Sequence, residues 1–152
     1  MRAKLLKDGD QRIHALVFET GADPMAGIRD FARRHGIVAA SFQAIGAFEH
    51  AVLGFFDFER RDYLRIEVAE QTEVVSLTGN VALKDGEPVL HVHAVLGKRD
   101  GQAVAGHLLE ATVRPTLEVM LSDLPAHLAR AHDEATGLPL LSSGTEADGS
   151  AA

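Results

Sequence analysis

Residues 88–109 read PVLHVHAVLGKRDGQAVAGHLL, two apolar runs divided by Arg99-Asp100-Gly101, and they hold three of the chain's eight histidines. Val and Leu bounded by Pro88 and Gly97, then a turn tripeptide, form a strand-turn-strand signal. The parity of the loop decides where every side chain points. With Arg99-Asp100-Gly101 as a three-residue loop and Gly101 left-handed after a type I turn, Lys98 pairs with Gln102. Counting back from that pair sets Val95 opposite Ala105 and His93 opposite His107. Opposed residues share a face with Cβ atoms about 4.5–5.5 Å apart, and strand alternation puts His91 on the same side. A loop one residue shorter or longer would send His107 to the other face. Binary pattern gives the same answer: three residues gather Leu90, Val92, Ala94, Leu96, Val104 and Leu108 on one surface, as a core face requires.

Three converging imidazoles suit zinc and other first-row divalent ions, and three protein ligands with one open position is the pattern of catalytic zinc. The plainer alternative has His91 and His93 hydrogen-bonding to neighbours or lining a subunit contact. A hairpin with the same chemistry precedes this one, at Lys84-Asp85-Gly86. The same loop length there puts Gly79 opposite His91, where a missing side chain leaves space, and Leu77 opposite His93. Gly106 is a second such glycine. That paired register also places Glu73 on the histidine face, as a fourth ligand or proton carrier. Glu110 and Glu118 are further acidic candidates, and each glutamate has an alternative reading as a solvated strand-end charge.

At 152 residues and 16.3 kDa, with 46% hydrophobic residues, the chain fits one domain with its own core. It has no cysteine, which excludes a disulfide framework and thiolate ligands. The apolar patch at Leu5-Leu6 is too short for a signal peptide and nothing reaches membrane-spanning length. The expectation is therefore a soluble, cytoplasmic protein. Net charge is −7, from 15 Lys and Arg against 22 Asp and Glu. Phosphate neutralisation dominates nucleic-acid affinity, so this balance argues against strong sequence-independent DNA binding.

In chain order, residues 11–19 read as a first strand. Asp23-Pro24 opens a helix with Asp as N-cap and Pro at its first position; the helix runs to about His35 and stops at Gly36. Met25, Ile28, Phe31 and Ala32 form its apolar stripe. Residues 37–48 and 51–58 read as two strands, with Gly46 and Gly54 marking bulges or close backbone approach. Residues 63–70 and 73–83 are further strands. Residues 112–121 supply the last, with Pro115 at an edge or bulge. Residues 123–135 form a short helix on which His127 and His132 sit five apart, off ligand spacing. Residues 11–141 thus make the domain, and residues 142–152 are a small, polar, disordered tail.

The segment from Ala15 to about Leu141 resembles the plants-and-prokaryotes conserved (PPC) domain, which accompanies AT-hooks in plant nuclear proteins and stands alone in bacteria and archaea. The matching pieces are FARRHGIVAASFQAIGAF, SLTGNVAL, HVHAVLGKRDGQAVAGHL followed by VRPTLEV, and RAHDEATGLPLL. The resemblance implies an α+β domain, a mostly antiparallel sheet packed with a few helices, assembling as a homotrimer. Exposed sheet edges and the Phe-rich strand point to the same need for cover. The family's DNA-binding label comes with AT-hooks, yet this chain lacks the Arg-Gly-Arg-Pro core by which a hook enters the minor groove. The fold is also similar to that of α-acetolactate decarboxylase, in which strand histidines hold zinc; that favours His91, His93 and His107 as ligands without fixing a reaction. Three functions compete: a trimer with a zinc-type site open to a small molecule, a DNA-binding regulator, and an adaptor trimer without chemistry.

Overall fold

The structure, a computed structural model, describes residues 1–125 and 127–142. Strands β1 (Arg2–Lys7) and β2 (Arg12–Glu19) lead into helix α1 (Pro24–His35). There follow β3 (Ala39–Asp57), β4 (Asp62–Val68), β5 (Thr72–Lys84), β6 (Glu87–Gly97), β7 (Ala103–Asp123), β8 (Ala129–His132) and β9 (Pro139–Ser142). All nine strands belong to one sheet, antiparallel except where Leu83 of β5 meets Ala129 of β8. The fold class is mostly antiparallel sheet with helix. The expectation of several helices needs correction, because α1 is the sole α-helix among the described residues.

The helix forms where its punctuation sets it. The Asp23 side chain accepts from Ala26 N at 3.0 Å, and Gly36 closes the C-terminus at φ 63° while Ile37 N bonds Ala32 O. On its buried side Ile28, Phe31 and Ala32 join Leu16 and Phe18 of β2 and the even-numbered face of β6 in one cluster. On that face Leu90, Val92, Ala94 and Leu96 are all buried. Each fully buried Val or Leu contributes about 1.5–3 kcal/mol. That holds β6 with its odd face, and hence His91 and His93, turned away from the core.

The two strands expected over residues 37–58 are one continuous β3. Its first half pairs with β5 and the end of β7, its second half with β4 and the beginning of β7. β6 then bridges β5 to the start of β7, so the path β3-β5-β6-β7 closes on itself. Closure needs sharp bending of β3, and Gly46 provides it at φ 148°. A Cβ there would stand 2.3 Å from the Thr116 carbonyl, the close backbone approach its position suggested. Pro115 lies in β7 where pairing with β3 jumps from Gly46↔Leu117 to Phe48↔Val113, a break that a residue without N–H tolerates.

Residues 123–125 and 127–135 do not form the expected helix. Leu83 N takes the Leu128 carbonyl at 2.8 Å, drawing the chain alongside β5 and into strand β8, which pairs with β9. The Asp133 carboxylate then accepts from Thr136 N and Oγ1 at 2.9 and 2.6 Å, a local turn in which the side chain outcompetes helical bonding. Of the expected tail, Ser142 ends β9 and residues 143–152 lie outside the described residues. No described helix is long and apolar enough to cross a membrane.

Candidate metal centre

The β6–β7 hairpin has the register its sequence implies. Lys98 N donates to Gln102 O at 2.8 Å, Gly101 sits at φ 84°, and Val95↔Ala105 and His93↔His107 pair directly. His91, His93 and His107 meet on the odd face, each offering a ligand nitrogen within 4.8 Å of the others. The ring centroids lie 5.0–5.4 Å apart, and His91 Nε2 approaches His93 Nε2 to 3.1 Å. Two imidazole nitrogens face each other this closely when one donates a proton to the other, or when both turn lone pairs to one cation.

The surroundings of His91 and His107 favour their neutral forms. Burial, then the proximity of His91, His93 and Arg130, pushes the His107 pKa down from 6.5 to about 4. Burial, with His93 and Arg130 adding to it, also lowers His91. His107 Nδ1 is buried with no hydrogen-bond partner. Tyr63 of β4 stacks on the His107 ring, centroids 4.8 Å apart and planes inclined by 26°. Gly54 makes that stacking possible: it pairs with His107, and a Cβ there would stand 2.6 Å from Tyr63 Cδ1.

The residues named from sequence as space-making glycines act elsewhere. The first hairpin turns on two residues, Asp85 (φ 53°) and Gly86 (φ 82°), with Lys84↔Glu87 closing it. A two-residue loop with both central residues left-handed matches strand twist, and it shifts the register by one. Gly79 is therefore opposite Val92, and Asn80, not Gly79, is opposite His91; Thr78 replaces Leu77 opposite His93. Gly79 borders the cleft beside His91 and His93, but the space its side chain would fill holds the Phe42 ring. Gly106 pairs with Ala94, and a Cβ on it would sit 2.8 Å from the Gly54 carbonyl, so it admits β3 rather than opening the site.

The acidic candidates do not reach the rings. A bulge at Val75 returns Glu73 to the odd face, where it pairs with Gly97, four residues from His93 along β6. At about 3.3 Å per residue that is roughly 13 Å. Glu110 pairs with Arg65 and Glu118 borders a separate cleft. His127 and His132 are exposed, outside the cluster.

Sequence reasoning missed Arg130, Asn80 and Tyr63. Arg130 donates to Asn80 Oδ1 and, at 3.2 Å, to the Pro139 carbonyl, while its Nε is buried without a partner. With Tyr63, His91, His107, Leu138 and Leu140 it lines a cavity of about 190 Å³ beside the histidines. A signal for Tyr63 existed, since it is the single tyrosine. For Arg130 the helical reading of residues 123–135 hid the strand that brings it in.

Solved structures of other proteins resemble this chain over most of its length. The metal-containing protein AF0104 from Archaeoglobus fulgidus is 38% identical, with a TM-score of 0.79 over 92% of this chain and 97% of that one. A plant- and prokaryote-conserved (PPC) protein from Pyrococcus horikoshii is 30% identical, TM-score 0.82, covering 93% and 94%. A candidate DNA-binding protein from Bacteroides thetaiotaomicron is 27% identical, TM-score 0.82, covering 92% and 96%. A Staphylococcus aureus protein similar to α-acetolactate decarboxylase, at 12% identity and TM-score 0.53, shares the fold alone. Among curated proteins none matches the chain. The profile of the Plants and Prokaryotes Conserved domain matches residues 6–125, and the chain belongs to that family.

Proposed function

We propose that this chain is a trimeric PPC-domain protein in which His91, His93 and His107 hold a divalent transition metal, zinc by its donor chemistry, beside a cavity for a small ligand. The observation that carries this reading is the gathering of three imidazole nitrogens within 4.8 Å of one another. Nitrogens sharing a tetrahedral zinc at about 2.0–2.1 Å stand roughly 3.3 Å apart, close to the 3.1 Å between His91 and His93. The unpartnered, buried His107 Nδ1 fits the same use, since a polar atom left without a bond in the fold is costly. When bound, the ion would polarise a ligand oxygen as a Lewis acid. The protein's part is to favour neutral His91 and His107 by burial, fix the His107 plane with Tyr63, and wall the cavity with Arg130, Leu138 and Leu140.

Trimer assembly is supported by apolar side chains that this fold leaves uncovered. Ile45 (62% exposed) and Val75 (60%) share a cleft with Met120 on the outer face of β3, β5 and β7, and Phe55 and Phe58 are 65% and 72% exposed. The deciding experiment is metal quantification on untagged protein, repeated with His93→Ala. Stoichiometric metal lost in the variant is the expected result; full retention in the variant, or none in the wild type, rejects the site and leaves the adaptor reading.

DNA binding is the second reading, favoured by the name of the Bacteroides relative. It predicts affinity that falls steeply with salt. No binding to duplex DNA at low ionic strength would remove it.

A further inference from the structure

Among the described residues no carboxylate pairs with the charge of Arg130. Two of its donors are spent on neutral oxygens, Asn80 Oδ1 and the Pro139 carbonyl, and Nε is buried without a partner. A part-buried guanidinium held this way is unusual, because buried charges are normally paired with an opposite charge. Asn80 and Pro139 fix its position between β5 and β9, at the wall of the cavity. The rest of that lining is mostly apolar, Val89, Leu90, Leu138, Pro139, Leu140 and the Tyr63 ring, and His91 and His107 complete it. An apolar chamber with one fixed cation and one polar end selects for an occupant with the complementary layout.

We infer that the cavity is a binding site for a small aliphatic carboxylic acid, its carboxylate on Arg130, its alkyl body among Leu138, Leu140 and Val89, and a substituent next to the carboxylate reaching the histidines. Guanidinium is the side chain that recognises a planar carboxylate best, through paired N–H donors. The volume of about 190 Å³ holds about six water-sized groups at roughly 30 Å³ each. That suits a branched acid of five or so carbons. The carboxylate assignment stands on Arg130 and the cavity alone; only the role of the neighbouring substituent rests on the metal reading.

The test uses 3-methylbutanoate, 3-methylbutanamide and 2-hydroxy-3-methylbutanoate, titrated by calorimetry into the full chain with and without zinc. In metal-free protein the acid is expected to bind at least tenfold more tightly than the amide. Arg130→Gln should bring the acid down to the level of the amide, and Arg130→Lys, which keeps the charge and loses the fork, should fall between. Equal binding of acid and amide, no binding of either, or an unchanged affinity in Arg130→Gln overturns the inference. If Arg130→Gln fails to fold, the acid–amide comparison in the wild type decides. Failure of the metal reading looks different: the acid preference persists, and zinc gives the 2-hydroxy acid no added affinity over the simple acid.

Discussion

Gly54→Ala should disturb the centre through a single ring. Gly54 pairs with His107, and Tyr63 lies across it, stacked on the His107 imidazole. An added Cβ would stand 2.6 Å from Tyr63 Cδ1 and 3.1 Å from Leu109 Cδ1. Carbon atoms rest at about 3.5–4.0 Å, so the tyrosine ring must retreat by about an ångström, off the face of His107. The obstacle is a side chain on β4, which among the described residues pairs only with β3, so the cost is moderate. Losing the ring pair accounts for about 0.5–1.5 kcal/mol, and overpacking brings the total to about 1–3 kcal/mol. In a Tyr63→Ala background the tyrosine obstacle is absent, and the closest contact left is the flexible tip of Leu109 at 3.1 Å. Gly54 has no positive φ, so alanine there should be neutral or stabilise by about 0.4–1 kcal/mol through the unfolded chain. Urea unfolding of the four proteins closes a double-mutant cycle, in which the Leu109 contact cancels; the expected coupling is about 1–3 kcal/mol. The same cost in both backgrounds would mean that the glycine is not there to admit the ring. Because Tyr63 orients His107, Gly54→Ala is also expected to weaken zinc binding about tenfold.

Metal-free protein should lose stability in mild acid through His107. Its folded pKa of about 4 lies below the ordinary 6.5, so between those values the unfolded chain binds more protons. Stability is then full above about pH 6.5, declines as pH falls toward 4 and levels off below. A gap of about 2.5 units caps the effect at about 3 kcal/mol; urea midpoints at several pH values should flatten over this window in His107→Gln, and an unchanged slope would exclude His107 as the source. Gly46→Ala should cost at least about 3 kcal/mol, measured as loss of soluble protein or of the unfolding midpoint, because both nearest obstacles, Thr116 O and Leu117 Cα, are backbone. Ile45→Glu combined with Val75→Glu should turn a trimer into monomer in sedimentation velocity, and an unaltered trimer would place the interface elsewhere.

Much of this fold was written in local chemistry. Asp23, Pro24 and Gly36 bracket the helix because caps satisfy orphan backbone groups within a few residues of themselves, with no reference to the rest of the molecule. The continuity of β3 was not legible, because Glu49 and His50 look like a turn until β7 is known to run beside both halves. β1 was missed for a related reason. All six of its residues are exposed, so an edge strand of this kind carries no alternation to read. Residues 123–135 failed in the opposite direction: helical spacing was present, but the bonds of Leu83 and Asp133 settle the segment from outside it.

The two Asp-Gly hairpins show where the information on the site resides. The dipeptides are identical, yet Asp100-Gly101 ends a three-residue loop and Asp85-Gly86 is a two-residue one. Turn chemistry therefore leaves the parity open, and the strands decide it. Leu90, Val92, Ala94 and Leu96 fix the even face of β6 as core. On β7 the core residue within reach is even-numbered Leu108, which requires an odd loop; on β5 the core residues are odd-numbered Leu77 and Val81, which require an even one. The test that selects His107 for the histidine face also removes Gly79 from it and puts Asn80 opposite His91. Asn80 in turn holds Arg130, so the one charged group lining the cavity is positioned by the same parity that gathers the imidazoles.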